Sequence, residues 1–142
     1  MVGALATGCA SSSTPTVEEY ERSLGSARDR VDYALERITQ AGSRDELLER
    51  MDEAATTIDD AASDLAEVGA PRKVESETDT LVDALQQLAF DLQATADQIR
   101  QPGFGDLVIG TRGLSFESWD AVNLALRAMS AKEIDVAPLE RH

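Results

Sequence analysis

The chain has 142 residues, enough for one domain, and its 42% apolar and 28% charged residues are typical of a globular protein. Its 21 alanines against 6 aromatic residues favour closely packed helices over β-sheets. A net charge of −14 argues against nucleic acid as a partner, because such proteins need a basic face. One cysteine and one histidine exclude disulfide frameworks and Cys/His zinc sites.

The first sixteen residues combine a short apolar run, the lone cysteine and a polar stretch. Leu5-Ala6-Thr7-Gly8-Cys9 resembles a bacterial lipobox, the end of a lipoprotein signal peptide. The resemblance implies cleavage before Cys9, a diacylglycerol thioether on Cys9 and palmitate-type acylation there. Residues 9–15, rich in serine and threonine, then form a flexible tether that holds the domain away from the membrane.

The segment before Cys9 departs from a complete signal peptide. Its eight residues carry no charge, whereas a signal peptide has a basic region and then about 7–15 apolar residues. Ala6 also stands where a lipobox usually has a larger aliphatic residue. We therefore expect residues 1–8 to be a truncated remnant, with the basic region encoded upstream. The alternative is a cytosolic helical adaptor with a frayed N-terminus and an incidental free cysteine.

Apolar residues then recur every three or four positions, which predicts two long amphipathic helices. The first begins at a capping box, Thr16 with Glu19, and ends before Gly42. Gly25 lies inside it, so a bend or a close helix contact is expected there. The second begins at another capping box in the segment 43–46, and Gly69 and Pro71 end it.

A third helix and a shorter fourth one follow. The third has strict heptad spacing from Val74 to Ile99, and Pro102 follows its end. The fourth runs from about Ser115 to Ala131 and carries Trp119. An apolar tail then follows, and we expect it to lie across the bundle. It contains Ile134, Val136 and Leu139.

These patterns predict an all-α fold. Residues 16–142 form an antiparallel four-helix bundle, with three long helices and one shorter C-terminal helix on a flexible N-terminal tether. The long helices broaden their apolar stripes beyond two positions per heptad, which argues against an oligomeric coiled coil. We therefore expect a monomer. No run approaches the roughly 18 apolar residues of a membrane-spanning helix.

The segment 101–113 is long for a bundle turn and combines four glycines with apolar residues. One interpretation is a binding loop that presents Phe104 and Leu107 to a partner. The other is a crossing loop that closes the end of the bundle, which we favour because apolar loop residues usually pack.

Acidic residues cluster on the second helix, and Asp59, Asp60 and Asp64 are candidate contacts for a basic partner. They are also weak candidates for Ca²⁺ or Mg²⁺, although the spacing of an EF-hand is absent. A solvated helix face explains them without any ligand. Trp119 is expected to pack in the core rather than to stack on a sugar or base. We expect no cofactor and no catalytic residue.

Two further features accompany the lipobox: the chain uses 11 Arg against 2 Lys, and it carries the segments 115–123 and 138–142. Together these features resemble those of small secreted lipoproteins of high-GC Gram-positive bacteria. The resemblance implies a lipid anchor on the outer face of the cytoplasmic membrane. We expect a non-catalytic interaction protein of the cell envelope. The alternative is an enzyme or small-ligand carrier with a site inside the bundle, at inward polar groups such as Thr78, Thr95 or Asn123.

Overall fold

The computed structural model describes residues 14–102 and 116–140. Within these residues the chain forms four α-helices and no strand, which confirms the predicted all-α bundle. The helices are α1 (Val17–Thr39), α2 (Arg44–Val68), α3 (Glu75–Ile99) and α4 (Glu117–Ala131). A short 3-10 helix, Arg72–Val74, connects α2 to α3.

Each helix packs antiparallel to the next along the chain. Arg30 of α1 reaches Asp64 of α2, and Arg37 reaches Glu53, so residue numbers rise on one helix as they fall on the other. The same holds for α3 and α4, where Asp91 accepts a hydrogen bond from Ser118 and Glu77 pairs with Lys132 nearer the other end. Short turns between α1, α2 and α3 leave those helices no other arrangement.

The helix ends follow the capping signals in part. Thr16 and Glu19 form the predicted reciprocal box. Ser43 accepts a hydrogen bond from the Glu46 amide, but the Glu46 carboxylate binds the Gly42 amide and not that of Ser43. The second capping box is therefore only half formed, because the chain places the Gly42 amide within reach of the same carboxylate.

One continuous core runs between the helices. It consists of aliphatic residues and many alanines, with the Tyr20 ring and Leu88 both fully buried. Alanine at the contact positions lets the helices approach closely, which explains the low aromatic content. Trp119 is only half-buried and packs against the edge of this core.

Gly25 does not mark a close helix contact. A methyl group added at its Cα would meet no atom within 4 Å, so the close contact is not formed and the alternative, a bend, stays a prediction. Gly69 does have a conformational role, because it ends α2 with a φ of 77°, which a residue with a side chain adopts with difficulty. Pro15 lies beside Gly69, so the chain enters α1 next to the turn that ends α2.

The C-terminal tail, residues 134–140, lies across the bundle as predicted. Ile134 and Leu139 are buried in the core and Val136 is half-buried. The turn that leads into the tail begins where α4 stops, at Lys132 and Glu133. Because α1 and α4 are the two ends of the helix order, the tail joins them and closes the bundle.

Candidate functional site

The acidic residues of α2 do not form one solvated cluster, because several of them bind arginines of the neighbouring helices. Asp64 accepts a hydrogen bond from Arg30 at 2.8 Å and Glu53 accepts one from Arg37 at 2.8 Å, both across the contact with α1. On the other side of α2, Asp52 pairs with Arg100, which directly follows α3. Asp60 and Asp64 are close in sequence but differ in role, because Asp64 joins α2 to α1.

Asp59 and Asp60 differ from these neighbours. Both are exposed, and neither forms an ion pair within the part of the chain that the structure describes. Among those residues, no group of three or more His, Cys, Asp or Glu side chains is placed to hold a metal ion. Asp59 and Asp60 are therefore two adjacent acids of α2 without an ion pair, and Asp64 beside them is already bound to Arg30. Three other acids of α2 are also exposed and form no ion pair among the described residues: Asp45, Glu49 and Glu67.

The inward polar groups have partners inside the protein. Thr78 donates a hydrogen bond to the Val74 carbonyl at 2.7 Å, and its oxygen lies 2.5 Å from the Tyr20 hydroxyl. Asn123 accepts a hydrogen bond from the Leu139 amide at 2.7 Å. Thr95 is half-buried at the rim of the core. These bonds give Thr78 and Asn123 a structural role in the bundle.

Tyr20 is the largest buried polar side chain of the bundle. Since the Thr78 hydroxyl proton is used by Val74, the Tyr20 hydroxyl donates to Thr78, and its oxygen also lies 3.6 Å from the Met129 sulfur. Burial raises the pKa of the Tyr20 phenol, the hydrogen bond with Thr78 partly offsets this, and the nearby Glu77 carboxylate adds to the rise. The ring is thus held neutral in the core.

The outer side of α1 carries a shallow groove that the sequence did not indicate. It has a volume of about 650 Å³, and Arg22, Gly25, Arg30 and Tyr33 are among the residues that line it. Tyr33 is 64% exposed, and acidic residues border the arginines, so the surface has charges of both signs. Arg30 binds Asp64 through one nitrogen, while its Nε and second terminal nitrogen are buried.

The tail is held by a set of side chains that sequence analysis did not find, apart from Asn123. The Glu21 carboxylate accepts a hydrogen bond from the Asp135 amide at 2.5 Å, and the Asp32 carboxylate accepts one from the Glu140 amide at 3.0 Å. Arg28 donates to the Pro138 carbonyl at 2.7 and 3.2 Å. We call the surface formed by Glu21, Arg28, Asp32 and Asn123 the tail groove.

The turn before the tail is anchored as well. Lys132 pairs with Glu77 and also donates to the Lys73 carbonyl at 3.1 Å, which fastens the end of α4 to the start of α3. The hydrogen bond from Lys132 holds the pKa of Glu77 below its ordinary value, and a backbone hydrogen bond adds to this.

Three predicted sites lie outside the described residues. They are the lipidation site at Cys9, the segment 103–113 and its two candidate contacts Phe104 and Leu107. Of the residues predicted to bind a protein partner, only Asp59, Asp60 and Asp64 therefore have a described position.

Comparisons of this chain with protein-family models, with curated proteins and with solved structures found no match. Among the helices of residues 14–102 and 116–140, none combines the length and the apolar character needed to cross a membrane.

Proposed function

We propose that this protein is a lipid-anchored, non-catalytic interaction module of the bacterial cell envelope, which recruits a basic protein through Asp59 and Asp60 on α2. The observation that carries the contact surface is the difference between these two acids and their neighbours. Asp52, Glu53 and Asp64 are paired with arginines, whereas the adjacent Asp59 and Asp60 are exposed and form no ion pair among the described residues.

The anchor rests on the lipobox-like segment ending in Cys9 and the polar tether that follows it. A lipid is needed because a protein of net charge −14 is repelled by anionic headgroups and has no electrostatic means of staying at the membrane. Pro15 lies beside Gly69, so the tether would leave the bundle at the end where α1 begins and α2 stops.

The inward polar groups favour this proposal over a ligand site in the bundle core. A carrier needs polar side chains that point into a cavity without partners of their own. Here Thr78 is bonded to Val74 and Tyr20, and Asn123 is bonded to Leu139. A ligand at either residue would have to displace a bond that stabilises the fold.

The contact surface is tested by a pull-down of basic envelope proteins at low and high salt. Exchanging Asp59 and Asp60 together for Asn should abolish capture, because exposed charges attract a partner over distances set by screening of about 8 Å at physiological ionic strength. The matched control exchanges Asp79 and Asp83, two exposed acids of α3, for Asn. It removes the same charge from another helix and should keep capture. Equal loss of capture in both variants would mean that only the net charge of the protein matters, which would refute a specific acidic surface. Capture that survives both high salt and the exchange of Asp59 and Asp60 for Asn would also refute it.

The anchor is tested separately on protein expressed from its native locus. The wild-type chain should partition into detergent and carry added lipid mass on Cys9, and Cys9→Ser should be found in the aqueous phase. A wild-type protein with a free thiol in the aqueous phase would overturn the anchor and leave the contact surface to be judged by the pull-down.

A further inference from the structure

We infer that the tail groove is an interaction surface for the C-terminal tail of a second copy of this chain, so that two chains can exchange tails and form a dimer. The groove binds its own tail through side chains of α1 and α4, and a second copy offers the same residues 134–140. Every bond between the tail groove and the tail can thus be made between two chains.

The first observation is how the tail is held. Three carboxylate or amide oxygens accept three tail amides, and Arg28 binds the Pro138 carbonyl. Ile134 and Leu139 add two apolar anchors, each nearly fully buried. The tail is thus held as an extended segment through its backbone and through two buried apolar side chains. It depends on the tail and groove alone, not on a covalent link between that tail and its own α4.

The second observation is the turn between α4 and the tail. The Ile134 amide binds the Met129 carbonyl at 3.2 Å and the Glu133 amide binds the Ser130 carbonyl at 3.1 Å, which is the hydrogen-bond pattern of a Schellman cap. Such caps usually place glycine where this chain has Glu133, whose φ is 65°. Glu133 is the only residue other than glycine with a positive φ among the described residues.

The strain at Glu133 exists only while the tail folds back onto its own chain. When the turn opens, the residue returns to an ordinary conformation and the tail is free to enter the groove of a second chain. Short strained hinges of this kind promote exchange of an element between identical chains. In a dimer both hinges lose this strain and the bonds in both grooves are kept, whereas the two cap hydrogen bonds of each turn are lost.

Repulsion between two chains of net charge −14 opposes the dimer. Salt screens this repulsion, so the exchanged dimer should become more abundant as salt rises. The expected salt dependence is opposite to that of the acidic contact on α2. The inference does not rest on the proposed function, and failure of one leaves the other standing.

The test measures the dimer fraction of the full chain by sedimentation and light scattering over a range of concentrations. Glu133→Gly relieves the strain in the closed chain and should raise the dimer dissociation constant roughly tenfold, because two hinges lose their strain. Glu133→Pro cannot adopt a positive φ and should favour the dimer. The matched control Ala137→Gly adds flexibility within the exposed part of the tail, away from the hinge, and should not shift the equilibrium towards monomer.

A second arm mixes two variants that cannot form a complete dimer alone. Leu139→Asp removes an anchor from the tail but keeps the groove, and Asn123→Ala weakens the groove but keeps the tail. Mixed, they should form a heterodimer in which the intact tail occupies the intact groove. A chain that stays monomeric even as Glu133→Pro would overturn the inference. So would a wild-type dimer that Leu139→Asp does not weaken. If either mixed variant fails to melt cooperatively, the Glu133 series decides alone.

Discussion

Arg28 and Asp32 lie one turn apart on α1, 3.5 Å from each other, and hold adjacent parts of the same extended tail. Arg28 donates a hydrogen bond to the Pro138 carbonyl and Asp32 accepts one from the Glu140 amide, so two side chains of opposite charge join α1 to the backbone of the tail. Both side chains are largely buried, at 16% and 11% exposed. Burial of a charged pair is tolerated here because each partner also has a backbone hydrogen bond.

Exchanging Asp32 for Ala should lower the free energy of unfolding by about 1.5–3 kcal/mol, because it removes charge-assisted hydrogen bonds and leaves Arg28 with one fewer partner. Chemical denaturation of the purified chain measures the change. Asp29 provides the control, since it also contacts Arg28 but is 73% exposed. Asp29→Ala should cost no more than about 1 kcal/mol. Equal losses in the two variants would contradict the role of Asp32 in holding the tail.

Leu88 lies at the centre of the core and has no exposed surface. Leu88→Ala should lower the free energy of unfolding by about 2–5 kcal/mol, because it removes buried methyl groups and leaves a cavity. Leu124 on α4 is 69% exposed, so Leu124→Ala should change stability by less than about 0.5 kcal/mol. Thermal melts followed by circular dichroism give both values. A loss at Leu88 as small as that at Leu124 would break the heptad assignment of α3.

Tyr20 makes the protein sensitive to alkaline pH. Its folded pKa is raised above the unfolded value of about 10. Its contribution to stability is therefore complete below pH 10 or so and is lost as pH rises through the folded pKa. Tyr20→Phe should remove this alkaline loss, at a cost of about 1 kcal/mol near neutral pH for the missing hydrogen bond to Thr78.

The measurement for Tyr20 uses the near-ultraviolet absorbance of tyrosinate. The chain has only two tyrosines, so in Tyr33→Phe the signal comes from Tyr20 alone. The absorbance of that variant should rise together with loss of helix, because the buried ring ionises as the bundle opens. A Tyr20 signal that appears while the helix content is unchanged would show that the ring is accessible to solvent in the folded protein.

Glu77 contributes to the stability of the folded protein in the acidic part of the pH range. The hydrogen bond from Lys132 lowers its folded pKa below the ordinary value near 4.5. The contribution is present above that value and is lost as pH falls through the folded pKa. Stability measured against pH should therefore decline less steeply in acid for Glu77→Gln than for the wild type. Glu75→Gln, an exposed neighbour at the start of α3, serves as the control and should keep the wild-type slope.

The helices and most of their ends could be predicted from the sequence because both are local properties. An apolar stripe at helical spacing forms one buried face wherever the partner helix lies, and a cap such as Thr16 with Glu19 acts within a single turn. The same reasoning placed Leu88 in the core and the tail anchors Ile134 and Leu139 against it. It left two alternatives open at Gly25, a bend or a close helix contact, because a helical glycine gives the same sequence pattern in both cases, and the structure shows no neighbour there.

The sequence by itself determined that this chain is an acidic all-α bundle with an apolar C-terminal tail, since composition and periodicity need no knowledge of which helices meet. Only the tertiary structure decided how the charges are used. Asp60 and Asp64 stand four residues apart on one helix, yet Asp64 binds Arg30 of α1 whereas Asp60 forms no ion pair among the described residues. Arg28 and Asp32 look like an ordinary pair on a helix surface until the fold places Pro138 and Glu140 beside them. Such contacts join residues about a hundred positions apart, and their distances are set by the packing of the whole bundle.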